Sequence, residues 1–132
     1  MTDAITIDEL LALLRAVKPV TSVYLVFPGY AVPTKVDSYR GYYDRPALGF
    51  ALGGYVGTGP AEAPKASDLI TELEAATDGR HFEGWKGGFF TYKRSMPLFV
   101  DGRGDASSIL VTGLFDEEYR ATILTAYLPG AY

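Results

Sequence analysis

The first apolar pattern of the chain has the spacing of an amphipathic helix. Between residues 7 and 17, apolar side chains recur at positions 7, 10, 11, 14 and 17, so they share one face of a helix. Thr6 and Glu9 have the spacing of a capping box, in which each side chain accepts a hydrogen bond from the other residue's backbone N–H. The pattern therefore predicts a helix that begins after Thr6 and is stopped by Pro19.

A second helical pattern lies in the middle of the chain. Positions 69, 70, 73 and 76 are apolar and follow the helical period. Ser67 precedes them and belongs to the residue types favoured as N-caps, and Gly79 follows them as a predicted C-terminal stop. We therefore expect a second amphipathic helix that starts at Ser67.

The other apolar runs have the length and composition of strands. The predicted strands are residues 21–27, 46–52, 89–92, 98–100, 108–115 and 120–127. Residues 89–92 and 98–100 are expected to form a hairpin with each other, and residues 108–115, which are apolar on both faces, to be a central strand. Pro28, Gly29 and Pro33 are expected to break regular structure after the first strand.

The order of these elements predicts an α+β fold. About six strands form a mostly antiparallel sheet, and the two helices pack on one face of it. The length of 132 residues is typical of one domain, so residues 1–132 are predicted to be a single domain. A composition of 48% hydrophobic and 21% charged residues is that of an ordinary globular protein.

The net charge and the scarcity of cysteine and histidine exclude several classes of function. The chain has no cysteine and one histidine, which excludes disulfides, thiolate nucleophiles and histidine-rich metal sites. The net charge of −4 argues against a protein that coats nucleic acid, because that task usually requires a basic surplus. No apolar run approaches the roughly 20 residues that cross a bilayer, and the acidic start is unlike a signal peptide. We expect a soluble, cytoplasmic protein without a membrane partner.

Two short segments combine aromatic residues, a cation and glycine. Residues 38–44 read SYRGYYD, the first motif, and residues 84–90 read GWKGGFF, the second motif. Each motif precedes a predicted strand. The cations that flank them are Lys35, Arg40 and Arg45 at the first motif and Arg80, Lys86, Lys93 and Arg94 at the second. Because the sequences that follow the motifs do not align, the likeness is chemical and does not indicate an internal repeat.

The residue types of the two motifs suit a small anionic, nucleotide-like ligand. Aromatic rings stack on a planar base, arginine and lysine neutralise phosphate, and glycine lets a ligand approach the backbone closely. We therefore expect the motifs to converge on one concave site. The predicted ligand-binding residues are Tyr39, Arg40, Gly41, Tyr42, Tyr43, Trp85, Lys86, Gly87 and Gly88.

Each motif also has a purely structural interpretation. The first motif is compatible with an edge strand of alternating tyrosines, in which Arg40 pairs with a neighbouring aspartate. The second is compatible with a tight turn that needs a positive φ at Gly87 or Gly88, with Trp85 anchored in the core. The sequence leaves both interpretations open.

The sequence contains no assembled catalytic set, so we expect a binding protein and not an enzyme. Neither motif has the spacing of a phosphate-binding loop or a dinucleotide fingerprint. His81 follows Arg80 at the expected exit of the second helix and is predicted to be a solvated charge, not a catalytic base. Asp101 and Asp105 are expected in a solvated turn, so neither a cofactor nor a metal is predicted.

The order of motifs resembles that of a set of small uncharacterised proteins of actinobacterial phages and prophages. The matching pieces are residues 37–43, the strand that contains residues 47–49, the helix from Ser67, and residues 84–88. The resemblance covers roughly residues 6–112, and this chain departs from it at residues 115–132. It implies a phage accessory protein acting in an infected bacterial host, but it supplies no established activity and no catalytic residues.

Three hypotheses follow. The first is an anti-defence binding protein that sequesters a small anionic, nucleotide-derived molecule in an aromatic and basic pocket. The second is an inhibitor that docks on a host protein, such as a defence nuclease, through a tyrosine-rich surface. An enzyme of unfamiliar type is the third. Unpaired strand edges and the aromatic residues 127–132 also predict a homo-oligomer.

Overall fold

The computed structural model describes residues 4–26, 30–38, 45–51, 63–100, 108–117 and 120–128. These residues form two helices and eight strands, which confirms the α+β class. The elements are α1 (Ile7–Arg15), β1 (Ser22–Val26), β2 (Tyr30–Ser38), β3 (Pro46–Ala51), α2 (Ala66–Ala76), β4 (Phe82–Glu83), β5 (Phe89–Phe90), β6 (Phe99–Val100), β7 (Ser108–Asp116) and β8 (Arg120–Leu128).

Six of the strands form one sheet that closes on itself in the order β1-β2-β3-β6-β7-β8. The pairs β1–β2, β2–β3, β6–β7 and β7–β8 are antiparallel, whereas β1–β8 and β3–β6 are parallel. The sheet is therefore mostly antiparallel, as predicted, but mixed. In the described part of the chain, each strand of this sheet has two neighbours, so the sheet has no unpaired edge. The predicted homo-oligomer therefore loses the argument from unpaired strand edges and remains a prediction.

Strand β2 crosses a position where the sequence predicted a break. Pro33 lies inside it and pairs with Phe50, and the register shifts between Pro33 and Val36, which pairs with Leu48. Proline has no N–H to donate to the ladder, and a bulge accommodates it without ending the strand. The break predicted at Pro33 is therefore wrong, while Pro28 and Gly29 lie outside the described residues.

The hairpin predicted between residues 89–92 and 98–100 is also wrong. Strand β5 pairs with β4, with Phe82 opposite Phe90 and Glu83 opposite Phe89. Strand β6 instead joins the closed sheet between β3 and β7. A tight turn at residues 84–88 brings β4 and β5 together, and we call these two strands and their turn the β4–β5 hairpin.

Helix α1 follows the predicted capping box. The Glu9 N–H donates to Thr6 Oγ1 at 3.1 Å, and the Thr6 N–H donates to Glu9 Oε1 at 2.9 Å. The helix ends at Arg15, before Pro19 is reached.

Helix α2 begins at Ala66, ahead of the predicted cap at Ser67. Lys65 occupies the cap position, and its N–H donates to the Asp68 carboxylate at 3.1 Å. At the other end the helix stops at Ala76 with Thr77 as its C-cap, two residues before the predicted stop at Gly79, which has a φ of 81°.

The two helices and the closed sheet share one hydrophobic core. Leu10 and Leu14 of α1, Leu69 and Leu73 of α2 and Leu48 of β3 are all buried in it. The helices contact each other, and α1 packs on β7 while α2 packs on β2. Among the described residues, neither helix has the length and apolar character required to cross a membrane. Because α2 packs on β2, the polar side of α2 lies next to the start of the β4–β5 hairpin.

Candidate functional site

The second motif forms the turn of the β4–β5 hairpin. The Gly87 N–H donates to the Gly84 carbonyl at 2.9 Å, and the Gly84 N–H donates to the Gly88 carbonyl at 2.9 Å. Gly87 and Gly88 have φ values of 85° and 77°, which favour glycine. The turn itself therefore explains both glycines, and the N–H groups of Gly84 and Gly87 are already used within it. Trp85 and Lys86 occupy its two central positions.

The two faces of the β4–β5 hairpin differ because successive side chains of a strand point to opposite sides. Phe82, which is buried, pairs with the half-buried Phe90 on the inner face. Glu83 pairs with Phe89 on the outer face, and both are exposed. His81, two residues before Glu83, is exposed as well.

An aromatic cluster of Phe82, Phe90 and Tyr92 supports the inner face. The Tyr92 ring lies 4.8 Å from the Phe82 ring and 5.0 Å from the Phe90 ring, centroid to centroid. Tyr92 is buried, and its hydroxyl donates to the Arg45 carbonyl at 3.1 Å. The cluster therefore fixes the hairpin to the sheet and to the residue that directly follows the first motif.

The outer face and the turn expose large rings to solvent. Trp85 is 59% exposed and Phe89 is 74% exposed. The Lys86 Nζ lies 4.9 Å from the centroid of the Trp85 ring, and the His81 ring lies 6.2 Å from the Phe89 ring. The interpretation of Trp85 as a core anchor is therefore wrong, since the central positions of the turn direct its side chain outward.

A carboxylate at the base of the hairpin joins α2, β2 and the segment that leads into β4. Glu72 of α2 accepts two hydrogen bonds from Arg80, at 2.7 Å and 3.1 Å, and a third from the Val36 N–H of β2 at 2.8 Å. Val36 directly follows the bulge of β2, where the regular ladder is interrupted. Glu72 therefore supplies the acceptor for Val36 and holds the Arg80 guanidinium in one orientation.

The surroundings of Glu72 favour its ionised form. Burial alone would raise the pKa of this carboxyl, but the hydrogen bonds from Arg80 and Val36 and the charges of Arg80 and Lys35 outweigh it. The net effect lowers the pKa of Glu72 below its usual value. The hydrogen bond with Glu72 in turn raises the pKa of Arg80 above its usual value. Both groups are therefore charged near neutral pH.

An open pocket of about 400 Å³ lies next to this ion pair. It is lined by Lys35, Val36, Asp37, Glu72, Arg80, His81 and Phe82. We call it the Glu72 pocket. Its volume lies in the range of small-molecule sites. The exposed Phe89 ring does not line the pocket, but it lies 6.2 Å from the ring of His81, which does.

The first motif falls mainly on positions that the structure does not describe. The predicted ligand residues Tyr39, Arg40, Gly41, Tyr42 and Tyr43 lie outside the described residues. The convergence of these residues with Trp85 and Lys86 therefore remains a prediction.

The residues that flank the two motifs do come together. Asp37, two positions before Tyr39, and Phe82, two positions before Gly84, line the same pocket. Arg45, directly after the first motif, accepts the hydrogen bond from Tyr92 just beyond the second. The chain thus enters and leaves the first motif next to the β4–β5 hairpin.

Four candidate binding residues were missed by the sequence prediction. They are Lys35, Arg80, His81 and Phe89. Lys35 and Arg80 belong to the cations that flank the motifs, so the uneven placement of charge was the clue to them. Among the residues that the structure describes, no group of acidic and histidine side chains could hold a metal ion. Asp101 and Asp105 lie outside that part of the chain.

Comparison with known proteins adds no relative to this picture. No protein-family model, curated protein or solved structure matches the chain.

Proposed function

We propose that the protein is a phage accessory protein that binds and sequesters a small anionic, nucleotide-like molecule. The Glu72 pocket and the exposed rings of the β4–β5 hairpin form the described part of its site. In an infected bacterial cytoplasm such a protein acts against host defence by withdrawing a signalling molecule. Sequestration requires tight binding and no turnover.

The observation that carries this proposal is the orientation of Arg80 at the pocket. Glu72 holds one edge of the guanidinium through both terminal nitrogens. Among the described residues, the remaining N–H donors of Arg80 have no partner, so they are available to a phosphate oxygen. A guanidinium that is already oriented loses less conformational freedom when it binds an anion.

Two neighbouring features favour a ligand with both an anionic group and a planar ring. Lys35, exposed on β2, adds a second cation to the lining of the pocket. Phe89 presents a largely exposed ring beside His81 at the rim. In this proposal a base stacks on the Phe89 ring, and the phosphate binds to Lys35 and Arg80.

Thermal denaturation with a panel of nucleotides tests the proposal. A ligand at 100 times its Kd should raise the free energy of unfolding by about 2.7 kcal/mol. We expect Lys35→Gln and Phe89→Ala to weaken binding by roughly tenfold each, about 1.4 kcal/mol. Both side chains are exposed, so the variants should fold.

Lys93→Gln is the matched control. Lys93 is an exposed cation that does not line the Glu72 pocket. It should retain the affinity of the wild type. The proposal fails if no nucleotide stabilises the wild type, or if Lys93→Gln weakens binding as much as Lys35→Gln does.

A second candidate function is inhibition of a host protein. The exposure of Trp85 and Phe89 favours it, because large exposed rings are frequent hot spots of protein interfaces. In that case a purified host nuclease should bind the wild type, and Trp85→Ala should abolish binding without changing the melting temperature. A nucleotide should then have no effect on the complex.

A further inference from the structure

Among the described residues, the charges that line the Glu72 pocket are balanced. Lys35 and Arg80 supply two cations, and Asp37 and Glu72 supply two carboxylates. Such a lining attracts one negative charge near its cations, but it repels a ligand whose charge extends toward the carboxylates. The balance therefore limits the charge of the phosphate group that the pocket accepts.

Asp37 also offers a hydrogen-bond acceptor to the pocket. Its Oδ1 accepts the Ser38 N–H at 2.8 Å. Among the described residues, nothing donates to its Oδ2. Lys35 and Asp37 are two positions apart on β2 and both exposed, while Val36 between them is buried. The strand thus presents a cation and a free carboxylate oxygen on the same side.

We infer that the pocket selects a nucleoside phosphodiester, which carries one negative charge and a free ribose hydroxyl. This inference rests on the proposed function and names the class of its ligand. The phosphate lies between Lys35 and Arg80, and the hydroxyl donates to Asp37. A terminal phosphate or a triphosphate adds negative charge beside Asp37 and Glu72 and binds less well.

Isothermal titration calorimetry at low salt compares four probes that share one base. They are 3′,5′-cyclic AMP, its 2′-deoxy analogue, AMP and ATP. We expect cyclic AMP to bind about fivefold more tightly than AMP, which is the upper end of the range expected for one partly exposed charge contact. AMP should in turn bind more tightly than ATP. The 2′-deoxy analogue should bind about fivefold more weakly than cyclic AMP, since it lacks the hydroxyl.

Asp37→Asn assigns these preferences to one side chain. The asparagine keeps a carbonyl oxygen for the Ser38 N–H, so the local backbone contact is retained. The variant should lose the preference for cyclic AMP over AMP, and the 2′-deoxy substitution should then cost less. Glu83→Gln removes an equal charge from an exposed position that does not line the pocket, and should preserve both preferences.

The outcomes separate this inference from the proposed function. Binding of ATP equal to or tighter than that of cyclic AMP overturns the preference for a diester, while the pocket remains a nucleotide site. An equal loss of preference in Asp37→Asn and Glu83→Gln overturns the role of Asp37. If none of the four probes binds the wild type, the inference is overturned, and the proposed function is overturned as well only if the nucleotide panel also fails to stabilise the wild type.

Discussion

The two faces of the β4–β5 hairpin use the same residue type for different purposes. On the inner face Phe82 is 6% exposed and packs against the rings of Phe90 and Tyr92. On the outer face Phe89 is 74% exposed, and its ring lies 6.2 Å from that of the exposed His81. Aromatic content alone therefore says little about the role of a ring. Successive side chains of a strand point to opposite faces, so the position of a ring along the strand decides whether it stabilises the fold or is available to a partner.

A pair of alanine substitutions gives the largest expected effect. Phe82→Ala removes a buried ring from the aromatic cluster and should lower the free energy of unfolding by about 3–5 kcal/mol. Phe89→Ala removes an exposed ring and should change it by no more than about 0.5 kcal/mol. Urea denaturation of the two variants measures the difference. Similar losses in both variants would show that the outer face is packed and would break the comparison.

Two carboxylates of α2 extend the comparison to charges. Glu72 and Glu74 each bind an arginine at 2.7 Å, but the side chain of Glu72 is 20% exposed and that of Glu74 is 41% exposed. Glu72→Gln disrupts the paired hydrogen bonds with Arg80 and weakens the acceptor for Val36, so it should cost about 1–3 kcal/mol. Glu74→Gln removes a surface pair with Arg15 and should cost at most about 1 kcal/mol.

The cost of Glu72→Gln should also depend on pH. Because the pKa of Glu72 is lower in the folded protein than its usual value of 4.5, its charge stabilises the fold above that value. This contribution is lost as the pH falls through the lowered pKa. Urea denaturation below pH 4.5 should therefore show the wild type and Glu72→Gln converging. A constant difference across this range would contradict the pKa shift.

Local patterns in the sequence predicted the elements that depend on local contacts. Helix α1 begins where Thr6 and Glu9 predict it, because a capping box involves only its own first turn. Helix α2 begins earlier than Ser67 because distant residues hold its start: the Ala66 N–H donates to the Thr21 carbonyl at 2.8 Å. The spacing of apolar residues along the helix cannot predict such a contact between residues that are distant in the sequence.

The candidate site was predicted only in part for the same reason. Strands β4 and β5 have two residues each, too few to show a period. The Glu72 pocket requires β2, α2 and β4 to meet, and the contact of Glu72 with Val36 spans 36 positions of the chain. Charge and glycine content pointed to Lys86 and the turn. They did not show that Arg80 is held by Glu72.

The smallest expected effect comes from comparing Tyr92 with Tyr24, because each substitution removes a single hydroxyl. Tyr92→Phe keeps the buried ring but removes the donor to the Arg45 carbonyl, so it should cost about 1 kcal/mol. Tyr24 is half-buried, and its hydroxyl has no hydrogen-bond partner among the described residues, so Tyr24→Phe should be nearly neutral. Urea denaturation measures both variants. A neutral Tyr92→Phe would mean that the ring alone holds the cluster, and that the bond to Arg45 does not tie the end of the first motif to the hairpin.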